Sequence, residues 1–188
     1  MTQRLLVLGA GGHGIAVAEA AILSRQFGTI SFLDKKARGS VGEWTIIGTP
    51  ESLLSHIDQF DAAIAAVGNC DLRTEWLGAI RNSGLRSPPI IHPAATVSRL
   101  AVIEQGCAIM PGAVVGPRTS IGLGSIINCN ATVDHDCHLG DYVHLGVGVH
   151  LAGGTVVGNN SFLQAGCCAG YGVSIPAGTL ASPGTIFG

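Results

Sequence analysis

Every sixth residue from Val97 to Ala181 is aliphatic. Of the fifteen positions Val97, Ile103, Ile109, Val115, Ile121, Ile127, Val133, Leu139, Leu145, Leu151, Val157, Leu163, Ala169, Ile175 and Ala181, thirteen are Val, Ile or Leu and two are Ala. A second register runs two residues earlier, through Ala95, Ala101, Cys107, Ala113, Thr119, Ser125, Ala131, Cys137, Val143, Val149, Thr155, Ser161, Cys167, Val173 and Thr179. None of these is larger than Val and none is charged. Linked registers sustained over about five turns are the mark of a hexapeptide β-helix, in which three short strands make one triangular coil of about 18 residues. One aliphatic side chain per strand then points into the prism, and the small residue two earlier fits a tight interior corner. Gly122, Gly140 and Gly158 recur at eighteen-residue spacing, as expected of turns stacked coil upon coil. Cys107, Cys137 and Cys167 fall in the small register and read as inward filler.

Before His92 the periods are different. Arg4–Leu8, Thr29–Leu33, Thr45–Ile47, Ala62–Val67 and Pro89–Ile91 read as short apolar strands. Ile15–Leu23 and Asp71–Asn82 read as helices, and Thr49-Pro50-Glu51 as a further helix start. Strands alternating with helices predict a parallel, Rossmann-like sheet. The chain therefore divides into an α/β domain, residues 1–91, and a β-helix, residues 92–188. The composition agrees: 28 glycines with only 12% charged and 5% aromatic residues suit a β-rich fold of tight turns better than a helical bundle.

The same composition excludes several functions. A formal net charge of −2 gives no electrostatic basis for binding nucleic acid or an anionic membrane. Apolar stretches are interrupted well short of the roughly 18 residues a membrane helix needs. The N-terminus passes from one Arg into a Gly-rich turn, which does not read as a signal peptide. Six cysteines without CxxC spacing read as reduced thiols, so a cytoplasmic location is expected.

Two segments carry chemistry. Gly9-x-Gly11-x-x-Gly14 follows a strand and opens a helix, with Asp34 about twenty residues on, the spacing of a dinucleotide fingerprint. Taken alone it also reads as a tight strand-to-helix turn, and a domain of about 90 residues lacks the second half that holds a full dinucleotide. In the coil, His135 stands two residues after Val133, off the inward register, between Asp134 and Asp136. A carboxylate beside an imidazole fixes its tautomer and raises its basicity, which suits a general base. His138, His144 and His150 recur every six residues and so occupy different faces, which disfavours a joint metal site within one chain.

The segments Gly9-Ala10-Gly11-Gly12-His13-Gly14, Phe32-Leu33-Asp34, Ala66-Val67-Gly68-Asn69 and Thr132-Val133-Asp134-His135-Asp136-Cys137 occur in that order. Together they resemble the bacterial nucleotide-sugar acyltransferases, which N-acetylate UDP-4-amino-4,6-dideoxy sugars and have sialic acid O-acetyltransferases as close relatives. The resemblance spans nearly the whole chain. It implies a left-handed parallel β-helix following a nucleotide-sugar-binding domain, acetyl-CoA as co-substrate, no metal, and a homotrimer with CoA bound between neighbouring coils. It also implies that His135 is the general base tuned by Asp136, and that His144, Gly153 and Ala165 meet the acyl-CoA. Gly11, Gly12 and His13 would line the pyrophosphate and sugar, with Asp34, Lys35 and Gly68 near the nucleoside. His138 and His150 would be surface residues.

The expected function is acetyl-CoA-dependent N-acetylation of the 4-amino group of a UDP-linked dideoxy amino sugar. O-acetylation of a sialic acid or similar sugar by the same machinery is the alternative. A zinc lyase of the γ-carbonic anhydrase kind shares the β-helix, but it needs two His ligands five apart. The coil separations here are 3, 6 and 6. A non-catalytic nucleotide-binding scaffold would leave His135 without a role.

Overall fold

The computed structural model describes residues 2–188. The chain forms two compact units that meet in sequence at Ile90–Ile91. In the first unit the elements are β1 (Gln3–Leu8), α1 (Gly12–Leu23), β2 (Phe27–Leu33), β3 (Gly39–Val41), β4 (Trp44–Gly48), β5 (Ala62–Ala65) and α2 (Cys70–Ser83). The sheet order is β3-β4-β2-β1-β5. Leu5 to Leu8 are wholly buried on β1, an interior strand paired in parallel with β2 and β5, where a near-continuous apolar run is expected. Helix α2 starts at Asn69, whose Oδ1 accepts from the Leu72 amide at 2.9 Å, and stops at Gly84 with φ +82°.

The sheet corrects the expectation of a wholly parallel arrangement. β3 and β4 form an antiparallel hairpin, Val41 opposite Trp44, because the two-residue loop Gly42-Glu43 is far too short for a parallel crossover. The expected helix at Thr49-Pro50-Glu51 is a six-residue 3₁₀ helix, Pro50–Ser55. Only Pro50 and Leu53 are buried there, a three-residue spacing that matches three residues per turn. The expected last strand does not join this sheet either: Ile90–Ile91 pairs into a face of the prism.

The second unit is the predicted β-helix. Two-residue strands stack into three parallel faces of six, five and six strands. Thr132–Val133, His138–Leu139 and His144–Leu145 make one coil, each pairing with strands eighteen residues away. The second residue of each strand enters a single interior cluster, where Ile109, Ile127, Val133, Leu145 and Leu163 are fully buried. Burying such a side chain contributes roughly 1.5–3 kcal/mol. The small register fills the corners as expected: Cys107, Ala113, Ser125, Ala131, Cys137, Val143 and Cys167 are inaccessible. Its hydroxyls take up corner carbonyls, Thr119 Oγ1 donating to Asp134 O at 2.7 Å and Thr155 Oγ1 to Ala152 O at 2.6 Å.

A third register was not anticipated. From Gly106 to Gly184 every sixth residue has φ between +57° and +73°, including the non-glycine residues Arg118, Asn130, Asp136, Tyr142 and Asn160. Gly122, Gly140 and Gly158 are corner residues but not the left-handed ones. They are glycine because the next coil passes too close: a Cβ on Gly122 would come within 2.6 Å of the Gly140 carbonyl carbon.

Candidate functional site

One corner of the prism gathers the chemistry expected of the coil. It joins the strand Thr132–Val133 to the strand His138–Leu139. His135 Nδ1 lies 2.7 Å from Asp136 Oδ2, and the His135 amide donates to Asp134 Oδ1 at 2.8 Å. Asp136 occupies the left-handed position of the corner, φ +58°, a conformation that Asp tolerates better than most residues. That backbone turns its carboxylate back onto the preceding imidazole. His135 is 41% exposed, and Nε2 has no hydrogen-bond partner among the described residues; Asp134 Oδ2 is 3.8 Å away.

Sequence reasoning missed Arg118, one coil earlier, and Tyr171, two coils later. Arg118, eighteen residues earlier at the same left-handed corner position, grips Asp136 with Nε to Oδ1 and Nη2 to Oδ2, both at 2.6 Å. Those hydrogen bonds, followed by the one from His135, hold the Asp136 carboxyl well below the usual carboxylate range. Gly153 lies beneath the imidazole. A Cβ there would fall 2.6 Å from His135 Cε1 and 2.7 Å from Nε2, so the ring itself requires glycine at this position. Thirty-six residues after His135, the Tyr171 ring centroid is 6.4 Å from that of His135, and Tyr171 is 78% exposed.

Cys137 follows directly, but its thiol points into the prism toward Ala152 O at 3.4 Å, and burial pushes its pKa up. A buried neutral thiol is no nucleophile. The corner therefore offers an imidazole paired with a carboxylate and no adjacent nucleophilic thiol. His144 and Ala165 are placed elsewhere. His144 stands on a different face, stacked on Phe162 with centroids 4.3 Å apart, and Ala165 lies on the corner that follows Phe162–Leu163. Within one chain the five residues expected at base and donor thus fall into two groups. His138, His144 and His150 lie on three different faces, and among the described residues no group of three His, Cys, Asp or Glu is placed to hold a metal.

In the first unit, Gly11, Gly12, His13, Asp34, Lys35 and Gly68 all line one cleft of about 330 Å³, closed by Gly9, Ala66, Val67, Leu72 and Trp76. The glycines of the loop divide by purpose. Gly9 has φ +105° and its Cβ would meet Ala66 O at 2.9 Å, while a Cβ on Gly14 would collide with the Gly9 carbonyl oxygen. Those two let α1 pack on the strand. Gly11 and Gly12 face open space, and with His13 they place the start of α1 on the cleft wall, an arrangement suited to phosphate. Asp34 does more than line the wall, because its Oδ2 accepts from the Ala10 amide at 2.9 Å and fixes the loop. The His13 pKa is lowered to about 4, first by burial and then by the charge of Arg73, so its imidazole is neutral at physiological pH; Nε2 has no partner among the described residues. Arg73, almost inaccessible, donates to the carbonyls of Val67 and Gly68 at 3.0 and 2.9 Å and so shapes the opposite wall. No motif in the sequence singles it out.

Residues 4–80 match the family described as the PglD N-terminal domain. Among curated proteins no sequence matches. The acetyltransferase domain of PglB from Neisseria gonorrhoeae FA1090 has 39% sequence identity and a TM-score of 0.95; the match covers 100% of this chain and 92% of that one. The same domain in complex with acetyl coenzyme A has 38% identity, a TM-score of 0.86, and 97% coverage of each chain. A histidine-to-alanine form of GDP-perosamine N-acetyltransferase from Caulobacter crescentus, in complex with CoA and GDP-perosamine, has 32% identity and a TM-score of 0.93, covering 97% of this chain and 87% of that one. No helix among the described residues is long and apolar enough to cross a membrane. With the two units, the glycine-loop cleft and the imidazole–carboxylate corner in place, these likenesses assign the chain: it is an acyltransferase belonging to the hexapeptide-repeat family of bacterial nucleotide-sugar N-acetyltransferases.

Proposed function

We propose that this enzyme transfers the acetyl group of acetyl-CoA to the 4-amino group of a nucleotide-linked dideoxy amino sugar, with His135 as general base. The observation that carries the reading is the 2.7 Å contact between His135 Nδ1 and an ionised Asp136 above Gly153. With Nδ1–H donated to the carboxylate, Nε2 keeps its lone pair and can take a proton from the sugar amine. The amine nitrogen forms its bond to the thioester carbon, and the C–S bond breaks as the tetrahedral intermediate collapses. The CoA sulfur leaves and recovers a proton as the free thiol, and the sugar carries the new amide. Stabilising the oxyanion of the tetrahedral intermediate calls for an N–H donor beside the thioester carbonyl.

The nucleotide is held by the glycine-loop cleft. Amides of α1 face the pyrophosphate at Gly11, Gly12 and His13, and Asp34, Lys35 and Gly68 bound the nucleoside. Uridine is the nucleoside we take first, and guanosine the second choice, supported by the Caulobacter relative with GDP-perosamine. O-acetylation of a free sugar such as sialic acid leaves the helix-end amides without an anion and is the weaker reading. His144 and Ala165 lie apart from His135 on one chain, and this separation supports a homotrimer in which donor contacts from one protomer meet the base of its partner. The setting we infer is cytoplasmic, where acetyl-CoA is available.

A panel of UDP-, GDP- and dTDP-linked amino sugars with acetyl-CoA, followed by release of free thiol, tests the proposal. We expect turnover with one nucleotide class and loss of turnover when the same sugar is offered without its nucleotide. Equal rates with linked and free sugar would refute a nucleotide-sugar acceptor.

A further inference from the structure

Two carboxylates compete for the candidate base. Asp136 Oδ2 is 2.7 Å from Nδ1 of His135, and Asp134 Oδ2 is 3.8 Å from Nε2. A neutral imidazole has one ring proton. Given to Asp136 it leaves Nε2 free to accept a proton; given to Asp134 it occupies the atom that must act. Nothing in the pair His135–Asp136 alone decides between them, because a lone surface carboxylate turns about its own bonds and is well hydrated. The third partner decides. Arg118 meets both oxygens of Asp136 at 2.6 Å, and among the described residues no such cation meets Asp134. A guanidinium fork fixes the plane of a carboxylate, which a point charge does not.

We infer that Arg118 is a positioning residue for the acetyl transfer: by locking the Asp136 carboxylate it holds His135 as the Nδ1–H tautomer and keeps Nε2 available to the acceptor amine. The inference rests on the reading of His135 as the base. Its structural foundation is the stacking of coils, since Arg118 and Asp136 hold the same left-handed corner position one coil apart, both with φ +58°. The ionised state of Asp136, maintained by Arg118 first, belongs to the same arrangement. The side chain of Arg118 is 64% exposed, so its fork is not part of any core.

Arg118→Gly suits the backbone, because glycine adopts positive φ without strain. Arg118→Asn gives a second deletion compatible with the same geometry, and Arg118→Lys keeps the charge without the fork. The experiment measures the ¹⁵N shifts of the His135 ring, kcat and both KM values, and thermal unfolding. In the Gly and Asn variants the Nε2–H tautomer should appear. Their kcat should fall roughly ten- to a hundredfold, short of the ~10⁴-fold that a wholly wrong tautomer costs a serine protease triad. Both KM values and the melting temperature should hold, and the Lys variant should recover part of the Nδ1–H form and part of kcat. Wild-type ring shifts in both deletions would overturn the role of Arg118, while His135→Ala would still test the base independently. A tautomer change with kcat untouched would instead remove His135 as the base, and the positioning role with it.

Discussion

Replacing His135 with Ala is expected to lower kcat by about 10³- to 10⁴-fold while leaving the protein folded. A positioned general base contributes typically 10²- to 10⁴-fold, and here no neighbouring group can take its place. Asp136 is ionised but bound on both oxygens by Arg118, and Asp134 accepts the His135 backbone amide. Cys137 is turned into the prism. The fold should tolerate the change because His135 contributes its backbone, not its ring, to the coil: its carbonyl accepts from the Gly154 amide at 2.9 Å, a bond alanine keeps. His138 provides the control. It is exposed on a face, with Ser120 Oγ as its side-chain contact at 2.9 Å, and His138→Ala should leave turnover within about twofold, as for most surface substitutions. Thiol-release kinetics with matched unfolding curves check both variants. Turnover near wild type in His135→Ala would discard the mechanism.

The largest structural effect is expected from Ile127→Asp. Ile127 is wholly buried and pairs with Ile109 in the coil before it and Leu145 in the coil after it. The substitution removes roughly 1.5–3 kcal/mol of burial. It also places a carboxylate among aliphatic side chains, where an unpaired charge costs several kcal/mol more even after relaxation. Against a total stability of about 5–15 kcal/mol, the sum is large enough to abolish cooperative folding of the coils. Each coil rests only on its neighbours, so damage in the middle spreads to both sides. Circular dichroism on heating should show no cooperative β-sheet transition, with most of the protein insoluble. A melting curve like that of the parent would contradict the inward assignment of the six-residue register.

The interior of the prism was legible because a side chain every sixth residue must fill the same space in each coil, and only aliphatic residues do so. The glycine-loop cleft was legible for a similar reason: Gly9, Gly11 and Gly14 are local to one turn, and their spacing carries the geometry with it. His135 and Asp136 are adjacent in sequence and stay adjacent in space. Arg118 and Tyr171 escaped because their neighbourhood with His135 depends on coil stacking, seventeen residues before and thirty-six after. An exposed Arg or Tyr has no local pattern to distinguish it. Gly153 was expected to be small for the sake of the donor, whereas the His135 ring alone already forbids a side chain there. Arg73 was hidden by the opposite effect, a charge on a helix whose burial depends on the carbonyls of Val67 and Gly68 across the turn. The hairpin of β3 and β4 carries too little apolar alternation to read, since β3 is three residues long and largely exposed.

The central claim is that the amine of a nucleotide-linked sugar loses its proton to His135 beside a thioester held between protomers. A crystal structure of the His135→Asn protein with CoA and a nucleotide-linked amino sugar tests it most directly. The prediction is a diphosphate at the Gly11–His13 end of α1, the amine nitrogen within about 3.2 Å of the side chain at position 135, and the CoA sulfur reaching the same point between that corner and His144 of a neighbouring copy. An amine bound at another corner, or a CoA chain lying wholly on one protomer away from position 135, would contradict it.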